Sequence, residues 1–459
     1  MYRKVVEFMS SQVSSPSFHS HSVIRIFFRY VIPSILSLLA ISTASLIDGF
    51  FIGNYVGTEA LAAINLLMPF FSLLFGIALM LAVGGAIKAG LYIGAKEYRL
   101  ASEIFSKTLM AVFIITACTV PIALFFAQPL FLILGADPEL IPWMNEYFNV
   151  IIYSTVVQLC GLVLYYFLRA DDYPELGMHA LLLGAVVNII LDSVFVYYFN
   201  WGLQGAAWAT FIAQSMQILL LARYFFMKEH RLNIVWPKTS WLELLHTAYN
   251  GFSEFVNEFS IGVVILVLHW IVNTQSGVEG IAAFSVINYL IFVSLMTYYG
   301  IVDAMHAILA PNIGARRFSR VFDFMCLAGF SISILSLLFL SSIFIFRINI
   351  VEFFLKDEAV VVADLVSEFI FLIWPIFIFN GFNVLICAYL TCAQKPLHST
   401  VIALLRSLFL PIILALIIYY FFKGNTYLYA LPLAEMLTFS VAVFFIYRYR
   451  PSEIKKAII

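Results

Sequence analysis

The chain has 459 residues, of which 63% are hydrophobic and only 11% are charged, with a mean hydropathy of +0.99 and a formal net charge of -1. This composition excludes a water-soluble globule, because too few polar side chains are present to cover its surface, and it predicts an integral membrane protein. The near-zero net charge does not indicate a nucleic-acid partner, and the expected surroundings are a lipid bilayer.

Twelve apolar stretches are long enough to cross a membrane, and they predict an all-α integral membrane fold. At 1.5 Å per residue, a helix of about 20 apolar residues crosses a hydrocarbon core of about 30 Å. The predicted spans are centred near Ser42, Phe75, Thr116, Val157, Ile190, Gln214, Val263, Leu295, Leu335, Phe377, Pro411 and Thr438.

The positive charges predict the orientation of these spans. Of the 25 Lys and Arg residues, 21 fall on the side that holds the N-terminus, and Arg406 falls inside a span. The segments on the other side contain only Arg347, Lys356 and Lys423. Because loops rich in Lys and Arg stay on the cytoplasmic side, we predict that both termini are cytoplasmic.

An internal repeat divides the chain into two halves. When Gly57 is laid on Gly277, an offset of 220 residues, GTEALAAINL matches GVEGIAAFSV and YIGAKEY matches NIGARRF without a gap. Each half then holds six spans, so both halves enter and leave on the same side and form parallel repeats. We predict an N-terminal lobe at 1–235 and a C-terminal lobe at 236–459, joined by a basic linker near 228–241, with a substrate cavity between the lobes.

Polar side chains interrupt two spans of the first half. Asn188 and Asp192 lie four residues apart in the apolar run 176–199, so they share one face of a helix. An ionised group at the centre of a membrane helix costs about 2.5 to 3.5 kcal/mol on insertion scales, so it is expected to face the bundle interior and to have a function. In the first span, Pro33 predicts a kink, and Asp48 follows in the same outer half of the membrane as Asp192.

Several segments together resemble a known family. They are the first span ending in Asp48 and Gly49, the run ALAAINLLMP, and FLRADDYPELGM leading into NIILD and GAAWAT. This pattern resembles the MATE family of multidrug and toxic-compound extrusion transporters over nearly the whole chain. The resemblance implies a two-lobed, twelve-helix secondary transporter that exports organic, often cationic, compounds in exchange for protons or sodium ions.

The resemblance also implies a cation site. The site positions of the bacterial and archaeal branch match four residues here, Asp48, Asn188, Asp192 and Thr210. It further makes Pro33 the hinge of the first span and Tyr147 a member of the same network. Carboxylate, amide and hydroxyl oxygens are hard ligands that suit a sodium ion or a shared proton, and no cofactor beyond this coupling ion is expected. The alternative is a polar cluster that only holds helices together.

A second group of acids lies in spans 7 and 8. Glu254 and Glu258 are four residues apart, and Asp303 lies near a cytoplasmic end, so these acids are candidates for a second cation or substrate site. Other branches of the family also place an acid in span 7. Alternatively, Glu254 and Asp303 are simply solvated from a water-filled cavity. Arg406 and Glu435 are interpreted as structural, since a long Arg side chain can reach the membrane interface.

We therefore predict a secondary efflux antiporter that works by alternating access, and not an enzyme. The main alternative is a flippase for lipid-linked oligosaccharides, which would favour a cationic cavity, although Arg406 is the only cation clearly inside a span. The sequence shows no nucleophile and base at usable spacing, no metal set and no GxxxxGK[ST] motif, which disfavours an enzyme or an ATP-driven pump. We expect a monomer in the plasma membrane with small organic, cationic or amphipathic substrates.

Overall fold

The computed structural model describes residues 22–346, 360–422 and 424–453, and these residues form helices without any strand. The predicted outer cations Arg347, Lys356 and Lys423 lie outside the described residues. The same holds for four basic residues of the termini, Arg3, Lys4, Lys455 and Lys456. The orientation of the spans in the membrane therefore stays a prediction.

The first half contains six helices of membrane-spanning length. We number them span 1 to span 6 in chain order: Val23–Val56, Thr58–Gly94, Tyr98–Phe125, Ile141–Ala170, Pro174–Tyr198 and Gly202–Phe226. A short helix, Ala127–Ile133, lies between spans 3 and 4. The apolar run predicted at 176–199 corresponds to span 5.

The second half begins with a helical run from Leu242 to Gly314, which Gly277 divides into spans 7 and 8. Span 10 consists of two helices that meet at a bend of 49°. The remaining bounds are Phe318–Ile345 for span 9, Val361–Ile373 with Ile376–Cys392 for span 10, Pro396–Phe421 for span 11 and Gly424–Glu453 for span 12. The described residues thus contain the twelve predicted spans, and each predicted centre lies inside its own helix.

Gly57 and Gly277 occupy equivalent places in the two halves. Gly57 separates span 1 from span 2, with φ 134°, and Gly277 separates span 7 from span 8, with φ 60°. Glycine adopts positive φ without the steric penalty that a Cβ imposes. The two copies of the predicted repeat therefore share a positive φ at this glycine as well as a sequence pattern.

The halves touch closely toward the basic turns that follow spans 2 and 8. A Cβ at Gly94 of span 2 would lie 2.0 Å from the carbonyl oxygen of Pro311 in span 8. A Cβ at Gly84 would lie 2.1 Å from the carbonyl oxygen of Thr247 in span 7. Only glycine permits backbones to approach so closely. These contacts close the molecule at the end that is predicted to be cytoplasmic.

The linker between the halves lies against span 3. Glu103 accepts hydrogen bonds from the backbone N–H groups of Lys238 at 3.2 Å and Thr239 at 2.9 Å. Lys107 is fully buried and forms an ion pair of 3.1 Å with Glu243 at the start of span 7. Because a buried ammonium group is costly without partners, these contacts hold the linker in place.

Candidate cation and substrate site

A cavity of about 550 Å³ lies among spans 1, 2, 4, 5 and 6. Its wall includes four of the predicted site residues, Asp48, Tyr147, Asn188 and Thr210. Glu258 of span 7 lines it as well, and its lining residues include no Lys or Arg. A cavity of this size can hold a drug-sized molecule, and its two carboxylates favour positive charge inside it.

Asp192 lies behind this wall. Its side chain is fully buried, one helical turn after Asn188, as the spacing predicts. Asn188 Nδ2 donates a long hydrogen bond of 3.5 Å to Thr210 Oγ1, which links span 5 to span 6. Asp48 of span 1 is close enough to Asp192 for their charges to interact. Both carboxylates also interact electrostatically with the hydroxyl group of Tyr147 in span 4. The five predicted residues thus lie around one spot.

The two aspartates have buried oxygens without partners. Oδ1 of Asp48 and both carboxylate oxygens of Asp192 receive no hydrogen bond from any described residue. Such oxygens are costly to bury, so they favour a bound cation or a shared proton. The described residues contain no group of three or more His, Cys, Asp and Glu that could hold a metal. A cation here would need the oxygens of Asn188 and Thr210, a set that suits sodium better than zinc.

Wide helical turns follow both aspartates. Span 1 becomes π-helical at Ile52–Val56, one turn after Asp48, and span 5 does so at Ser193–Tyr198, directly after Asp192. Short π-helical segments are frequent at functional sites because they redirect side chains and free backbone groups. No sequence pattern predicted these turns.

Pro33 is buried in span 1, and the helix continues through it from Val23 to Phe51. The hydroxyl of Ser37 donates to the Pro33 carbonyl oxygen at 2.7 Å, one turn further along the helix. Serine bonds of this kind are associated with bending of helices. The proposed hinge at Pro33 stays a prediction.

Reaching a membrane interface was the reason for interpreting Arg406 as structural, but Arg406 does not reach one, and buried partners surround it instead. It is buried in the second half, where its guanidinium donates to Asn380 at 3.3 Å, Asn257 at 3.2 Å and Tyr299 at 3.0 Å. Glu435 lies 3.8 Å from the same group. These partners replace the water that the guanidinium loses on burial. They come from four other spans, so sequence spacing did not reveal them.

Glu254, Glu258 and Asp303 do not gather at one point. Glu258 faces the cavity of the first half, whereas Asp303 pairs with Arg169 of span 4 at 3.6 Å. Glu254 interacts electrostatically with Asp303 and with Arg406. Glu254 and Asp303 are largely buried, with 9% and 8% of their surfaces exposed, and their solvation from a water-filled cavity stays a prediction.

The turn between spans 4 and 5 holds two buried acids outside the spans. Asp171 accepts hydrogen bonds from the Tyr224 hydroxyl at 2.5 Å and from the Arg231 backbone N–H at 2.9 Å. Burial raises the pKa of the Asp171 carboxyl to about 6, although these donors oppose the shift. Burial also raises the pKa of Asp172, which accepts from the Tyr30 hydroxyl at 2.9 Å. The turn therefore connects span 1, span 6 and the linker.

The MatE family model matches the chain twice, at residues 33–194 and 255–417. The chain belongs to the MATE family. One match falls in each half, and the second begins 222 residues after the first at residues 33 and 255, as an internal repeat requires. Membership of this transporter family, together with the apolar spans, confirms a multi-pass membrane protein that is not an enzyme. In a bacterium, the membrane concerned is the plasma membrane.

The chain is similar to the multidrug export protein MepA of Staphylococcus aureus (strain NCTC 8325 / PS 47), at 22% identity over 94% of this chain and 95% of MepA. MepA of Staphylococcus haemolyticus (strain JCSC1435) is also 22% identical, with the same shares covered. A solved structure described as the outward-facing conformation of a multidrug resistance MATE family transporter of the MOP superfamily matches with a TM-score of 0.88 at 21% identity, over 95% of this chain and 97% of that one. At this identity the structural match shows the fold alone.

Proposed function

We propose that this protein is an antiporter that exports small organic cations in exchange for protons or sodium ions by alternating access. The relatives in the two staphylococci are named as multidrug export proteins, which supports export as the direction of transport. The observation that carries the proposal is that Asp48, Asn188 and Thr210 line one cavity, whose lining residues include no Lys or Arg. That lining also disfavours the flippase alternative, whose pyrophosphate would need cations.

In this proposal, the coupling ion binds at the predicted cation site in the first half. Two neighbouring carboxylates in a poorly solvated site repel each other, so binding of a proton or sodium ion relieves the repulsion. An organic cation in the adjoining cavity is repelled by that ion and attracted to the empty carboxylate pair. Binding of the ion and of the substrate therefore oppose each other, as antiport requires. Pro33 is the proposed hinge that changes the cavity wall.

Aromatic residues in the cavity wall indicate the substrate class. Phe71 and Phe75 of span 2 and Tyr147 of span 4 line the cavity together with Glu258 of span 7. Glu258 is the contact that we propose for a substrate cation. Aromatic faces next to a carboxylate favour planar, lipophilic cations.

The energetics decide which gradient to impose. One proton moving down 1 pH unit and 100 mV releases about 3.7 kcal/mol, enough for roughly a 500-fold gradient of a neutral substrate. Exchange of one monovalent cation for one proton moves no net charge across the membrane. The membrane voltage then contributes nothing, and 1 pH unit supports only about a tenfold gradient of the substrate cation. A chemical gradient of the ion is therefore the driving force to test.

The test is transport of a fluorescent planar cation in proteoliposomes, energised in turn by a proton gradient and by a sodium gradient. We expect the dye to move against its own gradient when at least one of the two ion gradients is imposed. If the exchange is one-to-one, a membrane voltage alone should not drive dye transport. Absence of uphill movement with both gradients would overturn the proposal. One chain contains the cavity and the cation site, so we expect a monomer to suffice.

A further inference from the structure

A buried ion pair joins the two halves away from the cavity. Nη1 of Arg169, at the end of span 4, lies 3.6 Å from Oδ2 of Asp303 in span 8. The Tyr166 hydroxyl donates to the same carboxylate at 3.3 Å. Arg169 also donates to the Tyr165 hydroxyl at 2.8 Å and to Ser34 Oγ of span 1 at 2.5 Å. Hydroxyl groups thus hold both charged partners in position.

The pair lies where the halves are in tight contact. Gly300 comes one helical turn before Asp303, and a Cβ there would lie 2.5 Å from Cγ1 of Ile35, the neighbour of Ser34 in span 1. Arg169 is 1% exposed, although its sequence position predicted a cytoplasmic segment. Arg169 belongs to the first half and Asp303 to the second, so any opening of the halves at this end must separate them.

A small cavity adjoins the pair. Its volume is about 10 Å³, and its wall includes Tyr166, Arg169, Asp303 and His306. A space of this size holds about one water molecule. Both ring nitrogens of His306 are buried without a hydrogen-bond partner among the described residues. A first water molecule therefore has polar neighbours at the point where the ion pair must be hydrated.

We propose that Arg169 and Asp303 form the gate of the transporter at the end that carries the basic turns. Removing one partner of a buried ion pair strongly destabilises the arrangement, because the remaining charge is left without compensation. The pair therefore favours the state in which this end is closed, and hydration beside His306 is needed to open it. The inference rests on the proposed function, since a gate is meaningful only for a transporter whose halves move.

The experiment measures distances between spin labels by double electron–electron resonance. The labels replace exposed Glu97, in the turn after span 2, and exposed Ser319, at the start of span 9, in a background where the exposed Cys118 and Cys326 are serine. We expect Asp303→Asn to raise the ratio of long to short distances by about tenfold or more. The charge exchange Arg169→Asp with Asp303→Arg should restore the wild-type ratio, because the neighbouring hydroxyls can donate or accept.

The control is Glu435→Gln, which breaks the pair of Arg406 and Glu435 within the second half. It should lower thermal stability and leave the distance ratio unchanged. If the wild type shows two distances but Asp303→Asn leaves their ratio unchanged, the gate is refuted and the antiporter proposal stands. If the wild type shows one distance in every ion and substrate condition, alternating access fails, and the gate fails with it.

Discussion

Asp192 lies one helical turn after Asn188, and its two carboxylate oxygens have no hydrogen-bond partner among the described residues, while Asn188 bonds to Thr210 at 3.5 Å. Thr210 of span 6 thus holds the side-chain amide of Asn188, whereas the carboxylate of Asp192 is available to bind an ion. This difference between two residues on one face of span 5 is the basis for placing the coupling ion there.

The first prediction concerns ion binding. Asp192→Asn keeps the size of the side chain and removes its charge, so we expect sodium affinity to fall at least about tenfold or the apparent pKa of proton binding to shift. Isothermal calorimetry on the purified protein measures both. Asp137→Asn, in an exposed turn between spans 3 and 4, is the matched control and should bind like the wild type. Unchanged affinity in Asp192→Asn would refute the site.

The second prediction concerns substrate charge. Glu258→Gln removes one of the two carboxylates that line the cavity. We expect the KM for a planar monocation to rise about five- to tenfold, with little change for a neutral substrate of similar shape. Transport assays with both substrates measure this selectivity, and Glu59→Gln in the exposed start of span 2 is the control. Equal effects on both substrates would contradict a charge-recognition role.

The third prediction concerns the contact between the halves. A Cβ at Gly94 would lie 2.0 Å from a backbone carbonyl of span 8, so Gly94→Ala cannot keep the closed contact. We expect transport to fall at least about tenfold, with faster labelling of a cysteine that replaces buried Asn312 of span 8. Gly262→Ala is the control, because no atom lies within 4 Å of a Cβ there. Wild-type transport by Gly94→Ala would show that the contact is not needed.

The fourth prediction concerns pH. Burial raises the pKa of Asp171 from 3.8 to about 6, so its contribution to stability is complete below pH 3.8 and is lost as the pH rises through 6. The free energy of unfolding that is lost over this pH interval amounts to about 3 kcal/mol. Asp171→Asn should therefore gain in melting temperature relative to the wild type as the pH rises from about 4 to 7, with half of the gain reached near pH 5 and a plateau above about 7. A difference that stays constant over this range would contradict the assignment.

The fold was largely predictable because its signals are local. Apolar length gave the twelve spans, and the spacing of Asn188 and Asp192 gave their shared helical face. The match of Gly57 with Gly277 predicted equivalent turns. Glycine is the residue that adopts positive φ without steric cost, so its recurrence at the same place indicates the same backbone conformation. These features depend on a few consecutive residues and not on packing between distant spans.

The contacts between distant spans were not predictable from spacing. The distribution of positive charges predicted that Arg169 lies in a cytoplasmic loop, yet it is buried against Asp303, 134 residues further along the chain. Arg406 finds its partners on four other spans, and Glu258 separates from Glu254 and Asp303 because it faces the other half. Such pairings depend on how the halves dock, which a single sequence does not specify.

The most direct test of the antiporter is the ion movement that a substrate gradient drives. Proteoliposomes containing the wild type receive an imposed gradient of a planar cationic dye, and a pH-sensitive or sodium-sensitive probe reports the counter-flow. We predict counter-flow of one of these ions with the wild type. With Asp48→Asn we predict none, while exchange of labelled for unlabelled dye persists, because the variant keeps the cavity and loses the ionisable partner of Asp192. Full counter-flow with Asp48→Asn would contradict the coupling site.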